Sequence, residues 1–304
     1  MKRIYLGILV LILSVSCFAQ RGGLRNPAIA HGSHHLSSVD SASWVQEWKD
    51  AYYAMATPPR IDTADLFNDY IYGLDTCGVL DSLDILYIAA MNNSDNAGIN
   101  IIDPDGSYNI DDGDTISFTP YEGWDGDGGN DFLNTGFNPS TDGVHYKLND
   151  AGIFIYVREE LADQYEEYEY GIREGSTDPS AYLTGLWSVT KTIYWRTNKS
   201  SSNSFVRGTA TRQGFFYQER TGVSNEQLFR NNASEQNLTG SASTSLPNAD
   251  FYILAGNVEG SAANFSQNSF SVFGLGSSLS ESERTSLYSL TETLMDALGK
   301  GVID

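Results

Sequence analysis

Asp125, Asp127, Asn130 and Asp131 crowd among glycines just after Trp124, in the stretch YEGWDGDGGNDF. Side-chain oxygens at this density suit calcium, a hard cation that gathers oxygen ligands around itself. Asp125 and Asp127 start an EF-hand pattern. Gly129 then stands where the third acidic ligand belongs, and Gly136 occupies the position that needs a bidentate glutamate. The loop is therefore no EF-hand. A different calcium site on Asp125, Asp127 and Asp131, completed by backbone carbonyls, stays open, and calcium is the one cofactor the chain suggests. The acidic stretch DPDGSYNIDDGD, residues 103–114, offers a second loop of the same kind.

Acid–base chemistry has fewer footholds. Hydrolysis of a glycosidic bond needs two carboxylates flanking it. The richest acidic stretch is REELADQYEEYEYGIREG, where alternation along a strand would put Glu167 and Glu169 on one face and Tyr168 and Tyr170 on the other. Seven acids so close together read more simply as a solvated edge. His145 in GVHYKLND lies beside Tyr146, but neighbours on a strand face opposite ways and cannot act as a pair. His31, His34 and His35 in HGSHHLSS are spaced to bind zinc or copper, without an acidic or thiol group to complete the site. The chain has no Gly-rich phosphate loop, G-x-S-x-G elbow or Cys-x-x-Cys pair. No catalytic residue is assigned.

Sugar binding asks for aromatic faces flanked by Asn, Asp or Arg. Trp124, Trp187 and Trp195, with Tyr170 and Tyr194, are the candidate platforms. The competing expectation for each is a place in the core, where large aromatics usually go. A net charge of −21, from 39 acids and 18 bases, excludes the phosphate contacts of a nucleic-acid binder and disfavours anionic lipid surfaces.

Such side chains must be held by ordered elements. Residues 1–19 read as a signal peptide: Lys2 and Arg3 precede a short apolar run, Ile4 to Val15, and Cys17 and Ala19 offer small residues for cleavage before Gln20. A lipid anchor at Cys17 is the less favoured reading, because Ser14 replaces the usual leucine. The protein is thus expected to be exported, to the periplasm, the cell surface or the medium. No later apolar run is long enough to span a bilayer. Loss of Cys17 would leave Cys77 without a partner, so the fold must rest on its core. Residues 20–60 form a loose N-terminal segment with a short helix, in which Trp44, Trp48, Ala51, Tyr52 and Met55 share a face and Pro58-Pro59 end the pattern. Leu66, Phe67, Tyr70, Ile71 and Leu74 predict a second helix, and Leu83 to Met91 a buried strand.

Beyond Asn100 β-branched and aromatic runs alternate with Gly, Asn, Asp and Ser clusters. TISFTPY, GIFIYVR, AYLTGLWSV, KTIYWRT, QGFFYQERTG, EQLFRNN, DFYILAGNV and SFSVFGLG are the predicted strands. Ile193 and Trp195 alternate with Thr192, Tyr194 and Arg196, as in a half-buried strand. Ser280 and Glu283 make a capping box ahead of Leu287, Leu290, Leu294 and Leu298, which predicts a closing helix ended by Gly299. The predicted fold is all-β, a two-sheet antiparallel jelly-roll sandwich with a helical lead-in and a C-terminal helix, spanning 61–304.

Several segments, in this order, resemble a known family. YEGWDGDGGNDFLNTGFNP is similar to the opening strands of concanavalin A-like, laminin-G-like jelly rolls. QGFFYQERTGVSNEQLFRNNASEQN looks like their later hairpin, and SFSVFGLGSSLSESERTSLYSL like their closing strand and helix. GVLDSLDILYIAA and NPSTDG narrow the resemblance to exported bacterial or phage-associated members. The resemblance covers about residue 65 to the C-terminus and implies a sandwich that frequently binds carbohydrate, without implying one activity. Members that are family 16 hydrolases carry E-x-D-x-x-E, which this chain lacks; the lyase signatures Q-[IV]-H and Y-F-K-x-G are absent too. The expectation is an exported, non-catalytic protein that binds a polysaccharide, a cell-surface glycan or another surface partner. A secreted hydrolase or lyase with an atypical site, and a structural or adhesion module such as a phage tail component, are the alternatives.

Overall fold

The computed structural model describes residues 44–112, 115–159, 167–175, 179–184, 192–206 and 213–303. The leader, Cys17 and the three N-terminal histidines lie outside them, as does Trp187.

Helix α1 (Gln46–Ala54) and helix α2 (Ile61–Thr76) precede strand β1 (Leu83–Ile88), and a single turn, α3 (Ser94–Ala97), follows it. Then come β2 (Ser117–Thr119), β3 (Gly123–Asp125), β4 (Leu133–Asn134), β5 (Ala151–Val157), β6 (Tyr168–Arg173), β7 (Ser180–Thr184), β8 (Thr192–Lys199) and β9 (Asn203–Val206). The chain continues through β10 (Gly214–Arg220), β11 (Asn225–Arg230), β12 (Ala233–Thr239), β13 (Tyr252–Ile253), β14 (Gly256–Val258), β15 (Ser261–Ala263) and β16 (Ser269–Gly276), and closes with helix α4 (Glu281–Ala297).

The strands form two sheets. The first has the order β12-β11-β10-β5-β16-β3-β2, with β1 also paired to β16; the second runs β15-β14-β6-β7-β8-β9, with β13 and β4 attached at β6. Pairing is antiparallel except between β14 and β6. The all-β sandwich expected from the strand pattern is the observed fold. Its strands β5 and β16 are buried along their whole length, which explains their near-continuous apolar sequences, GIFIYV and SFSVFGL.

Both faces of the first sheet are covered. On the inner face Phe273 meets Tyr170 of the second sheet, ring centroids 5.5 Å apart. On the outer face Phe215 meets Tyr288 of α4 at 5.8 Å, and the Arg284 guanidinium lies 3.7 Å from the centre of Phe229. The capping box starts α4 as its sequence dictates: Ser280 Oγ accepts from the Glu283 amide, and the Glu283 carboxylate accepts from the Ser280 amide. Leu287 and Leu294 are buried, and Tyr70 of α2 shares a buried hydrogen bond with Thr291. Helix α1 is fastened to α2, Trp44 Nε1 donating to Asp65 and the Val45 amide to Asn68, while Trp48 packs on Phe67.

Glu219, on the same outer face, carries a pH dependence. Burial pushes its carboxyl up to about 7, against the Arg284 charge 3.9 Å away and the Tyr217 hydroxyl, which both pull it down. The folded protein therefore binds this proton more tightly than the unfolded chain does. The resulting stabilisation is full below the ordinary carboxyl value of 4.5 and is lost as pH rises through about 7. The unfolding free energy from urea denaturation is expected to fall between roughly pH 4.5 and pH 8 by an amount on the order of 2 kcal/mol, and Glu219→Gln to flatten that fall. Equal slopes for both proteins would contradict this assignment.

The two sheets are joined by a buried ionic network. Arg220 of β10 stands directly across from Glu226 of β11, and their side chains pair at 2.8 Å with neither exposed. Lys199 of β8 approaches the other Glu226 oxygen at 3.1 Å. The Thr197 amide and Asn203 Nδ2 also donate to this carboxylate, each at 2.9 Å, and Ser241 Oγ completes the set. Arg220 Nε reaches back to the Thr197 carbonyl at 2.8 Å. This inward anchoring of β8 fixes which of its side chains point out.

Candidate functional site

The outer face of the second sheet carries an open cleft of about 140 Å³ on β6, β7 and β8. Strand alternation builds it. On β8, Ile193 and Trp195 face the core, so Tyr194 and Arg196 face out. Leu183 pairs with Trp195 on the inner side, and Tyr182 pairs with Arg196 on the outer side. On β6, Ile172 and Tyr170 point in, while Arg173 and Tyr168 line the cleft. Tyr168 and Tyr170 would share a face in a regular strand. A register shift between them, at Glu169, separates them. Tyr168 thus pairs with Thr184 on the cleft side, and Tyr170 with Leu183 in the core.

Two glycines make room for the rings. A Cβ on Gly171 would lie 2.3 Å from that of Tyr182, and the φ of +152° at Gly171 already disfavours a side chain. A Cβ on Gly256 would lie 2.5 Å from the Tyr168 ring. The Tyr168 and Tyr182 rings stack with centroids 4.7 Å apart.

Arg196 lies over the Tyr182 ring, its guanidinium carbon 4.6 Å from the ring centre. Its Nη2 donates to the Tyr182 hydroxyl at 2.9 Å and its Nη1 to the Ser200 carbonyl at 2.5 Å. An arginine can only donate, so the Tyr182 hydroxyl accepts from it and turns its own proton to Ser202 Oγ, 2.6 Å away. Burial pushes the Tyr168 hydroxyl up to about 12, and the negative charge Tyr182 would carry pushes the same way, while Arg173 pulls it down. Tyr168 is therefore a neutral hydrogen-bond donor at neutral pH. The Tyr168 amide donates to the carbonyl of Asn264, whose left-handed backbone (φ 60°) turns the chain at the cleft edge.

The structure moves the sequence candidates to other roles. Trp124 is fully buried, donates to Asp112 at 2.7 Å and stacks on Phe270. Trp195 is fully buried, with Nε1 donating to Gln236 of β12 at 2.8 Å. Tyr170 is fully buried against Phe273. None of these three presents a ring to solvent, because each sits on the core side of its strand. Trp187 lies outside the described residues.

Asp125 lies on β3 beside Thr119 Oγ1 at 3.3 Å, and burial raises its carboxyl above the ordinary value. Asp127 Oδ1 accepts from the amides of Gly129, Asn130 and Asp131 at 2.7, 2.9 and 3.1 Å, and those bonds lower its carboxyl. It closes the turn that leads to β4. Partial burial, then the Asp127 charge, raises the Asp131 carboxyl. Among the described residues no group of three or more His, Cys, Asp or Glu side chains could hold a metal ion.

Glu167 and Glu169 are both buried, Glu169 accepting from Asn268 Nδ2 at 2.6 Å and Ser266 Oγ at 3.1 Å. The expected face-sharing of Tyr168 with Tyr170 fails at the same bulge. The amides of Val144, His145 and Tyr146 all donate to the Asp84 carboxylate, which makes this segment a loop clamp, and the Tyr146 ring enters the core.

Sequence reasoning placed Tyr194 among the sugar platforms and read the alternation around Arg196, yet it missed Tyr168, Tyr182, Arg173 and Arg196 as one group. The available signal is parity: in KTIYWRT the residues that alternate with core Ile193 and Trp195 are Thr192, Tyr194 and Arg196.

No family model and no curated protein sequence matches the chain. Among solved structures, it is similar to the botulinum neurotoxin serotype D ligand binding domain in complex with N-acetylneuraminic acid. That match has 13% identity and a TM-score of 0.49, over 71% of this chain and 52% of the other. The receptor binding domain of botulinum neurotoxin D matches with 14% identity and a TM-score of 0.47, over 69% and 53% of the two chains. A mutant of NanB sialidase from Streptococcus pneumoniae matches with 8% identity and a TM-score of 0.38, over 45% and 23%. The chain spans about half the length of the toxin domains it matches. Among the described residues no helix is long and apolar enough to cross a membrane.

Proposed function

We propose that this chain is an exported, non-catalytic saccharide-binding protein of laminin-G-like type, and that the cleft on β6, β7 and β8 is its binding site. The observation that carries the reading is the outer-face group of half-buried Tyr194 with the buried, mutually stacked Tyr168 and Tyr182, beside two arginines. Tyrosine rings offer flat apolar faces to the C–H side of a sugar, and their hydroxyls offer hydrogen bonds at the edge. The described residues lining the cleft include no carboxylate, so they supply no acid–base pair for glycosidic hydrolysis. Export is supported by the basic and apolar pattern of residues 1–19.

A glycan array covering plant, algal, bacterial and animal glycans tests the reading. A saturable hit, weakened in the Tyr194→Ala variant, is the expected result. No hit, or a hit indifferent to Tyr194→Ala, would refute it. Product analysis of the bound glycans should find them intact.

A further inference from the structure

The hydrogen bonds lining the cleft run one way. A guanidinium and a backbone amide can only donate, whereas a hydroxyl gives one proton and can accept others. Arg196 Nη2 donates to the Tyr182 hydroxyl, which passes its own proton to Ser202 Oγ, 2.6 Å away. Ser202 thereby serves as an acceptor, and its own proton is left for the cleft it lines. The Tyr194 amide donates to Thr184 Oγ1 at 2.9 Å, so Thr184 is an acceptor too. Each of these two hydroxyls is engaged by a donor and still has a proton to place.

Thr184 is the less ordinary of the two. It is 6% exposed and lines the cleft, yet among the described residues its hydroxyl proton meets no acceptor. A buried donor without an acceptor is costly, and an acceptor oxygen brought by a ligand would offset that cost. Ser202, by contrast, is exposed, and water can serve it. Half-buried Asn264 lines the same cleft, and among the described residues its side-chain amide has no hydrogen-bond partner. That amide offers both an acceptor oxygen and N–H donors.

We propose that the sugar bound against these tyrosines carries an acetamido group, its carbonyl oxygen accepting from Thr184 and its N–H donating to the Asn264 side-chain oxygen. The inference rests on the saccharide-binding reading above. A carbonyl oxygen suits a buried donor because it brings no proton of its own. A sugar hydroxyl there would bring a further proton in need of an acceptor. The acetamido methyl adds an apolar patch for a tyrosine ring face. Ser202 donates to another oxygen of the same sugar. A carboxylate would also accept, but the net charge of −21 disfavours the approach of an anion.

The test is calorimetric titration with paired sugars that differ in acetamido against hydroxyl. The pairs are N-acetyllactosamine and lactose, triacetylchitotriose and cellotriose, and N-acetylgalactosamine and galactose. In at least one pair the acetamido member is expected to bind about tenfold or more tightly, since a site built to hydrogen-bond a group rejects the analogue that lacks it. Thr184→Ser keeps the hydroxyl and should keep that ratio, whereas Thr184→Val should remove most of it. Ser202→Ala should weaken both members of the pair alike and leave their ratio. The ratio measured on the unaltered protein decides the matter even if Thr184→Val does not fold. Equal affinity within every pair, or tighter binding of oligogalacturonate than of every acetamido sugar, would overturn the acetamido ligand and leave the saccharide site standing. Failure of every saccharide would overturn both.

Discussion

Glu226→Ala is expected to lower the unfolding free energy by about 3–5 kcal/mol, the cost of stranding buried charge. Among the described residues, the substitution removes the one anion paired with Arg220 and Lys199, both of them buried. Burial alone disfavours the charged form of each, lowering the Lys199 ammonium and the Arg220 guanidinium from their ordinary values, and Glu226 opposes that in both. Three neutral donors, from Thr197, Asn203 and Ser241, would lose their acceptor as well. Because Thr197 and Lys199 belong to β8, the loss reaches the strand that holds Tyr194 and Arg196 out toward the cleft. Guanidinium denaturation of the variant checks the magnitude. A loss under about 1 kcal/mol would mean that the network is solvated and does not bind the sheets together. A triple variant with apolar residues at 199, 220 and 226 should recover much of the loss, since desolvation of the charges then vanishes too.

The second large effect separates two neighbours on one strand. Trp195→Ala is expected to cost about 3–5 kcal/mol through the cavity it leaves between the sheets. Tyr194→Ala is expected to change stability by about 1 kcal/mol or less, as a half-buried outer-face residue, and to weaken saccharide binding about tenfold or more, as an aromatic contact residue. The contrast follows from β-strand alternation: Trp195 is fully buried and reaches Gln236 of the opposite sheet, whereas Tyr194 lines the cleft. Thermal melts and one binding isotherm on the two variants decide it. If Trp195→Ala folded normally and lost binding, the inner and outer faces would be reversed.

The parts of this fold that were legible in the sequence are those where local physics decides. The capping box of Ser280 and Glu283, the helix starting near Ile61, and the apolar runs of β5 and β16 each follow from spacing alone. The strand β12, ASEQNLT, was not legible: it is an edge strand exposed or half-exposed throughout, so no apolar alternation marks it. The pairs Gly123–Asp125 and Leu133–Asn134 are too short to carry a period, and tertiary pairing alone makes them strands. The aspartate-rich stretch drew attention through its composition, but Asp127 spends its acceptor oxygen on three local amides and Trp124 is core.

The cleft was only half legible. Tyr194 and Arg196 could be read from the alternation of KTIYWRT. Tyr168 could not, because the bulge at Glu169 reverses its face and no residue type announces a bulge there. Arg196 reads in the sequence like any solvated strand arginine; its burial emerges only when β6, β7 and β8 lie side by side.

Ligand is expected to bind on the outer face of the second sheet. Titrating the protein with the tightest-binding saccharide, while following the tyrosine ring and arginine side-chain NMR signals, tests it most directly. Saturable shifts are expected at Tyr168, Tyr182, Tyr194 and the Arg196 Nε–H, with core rings such as Tyr146 unmoved. Shifts concentrated around Tyr121 and the Asp125–Asp131 loop, with the cleft tyrosines silent, would contradict it.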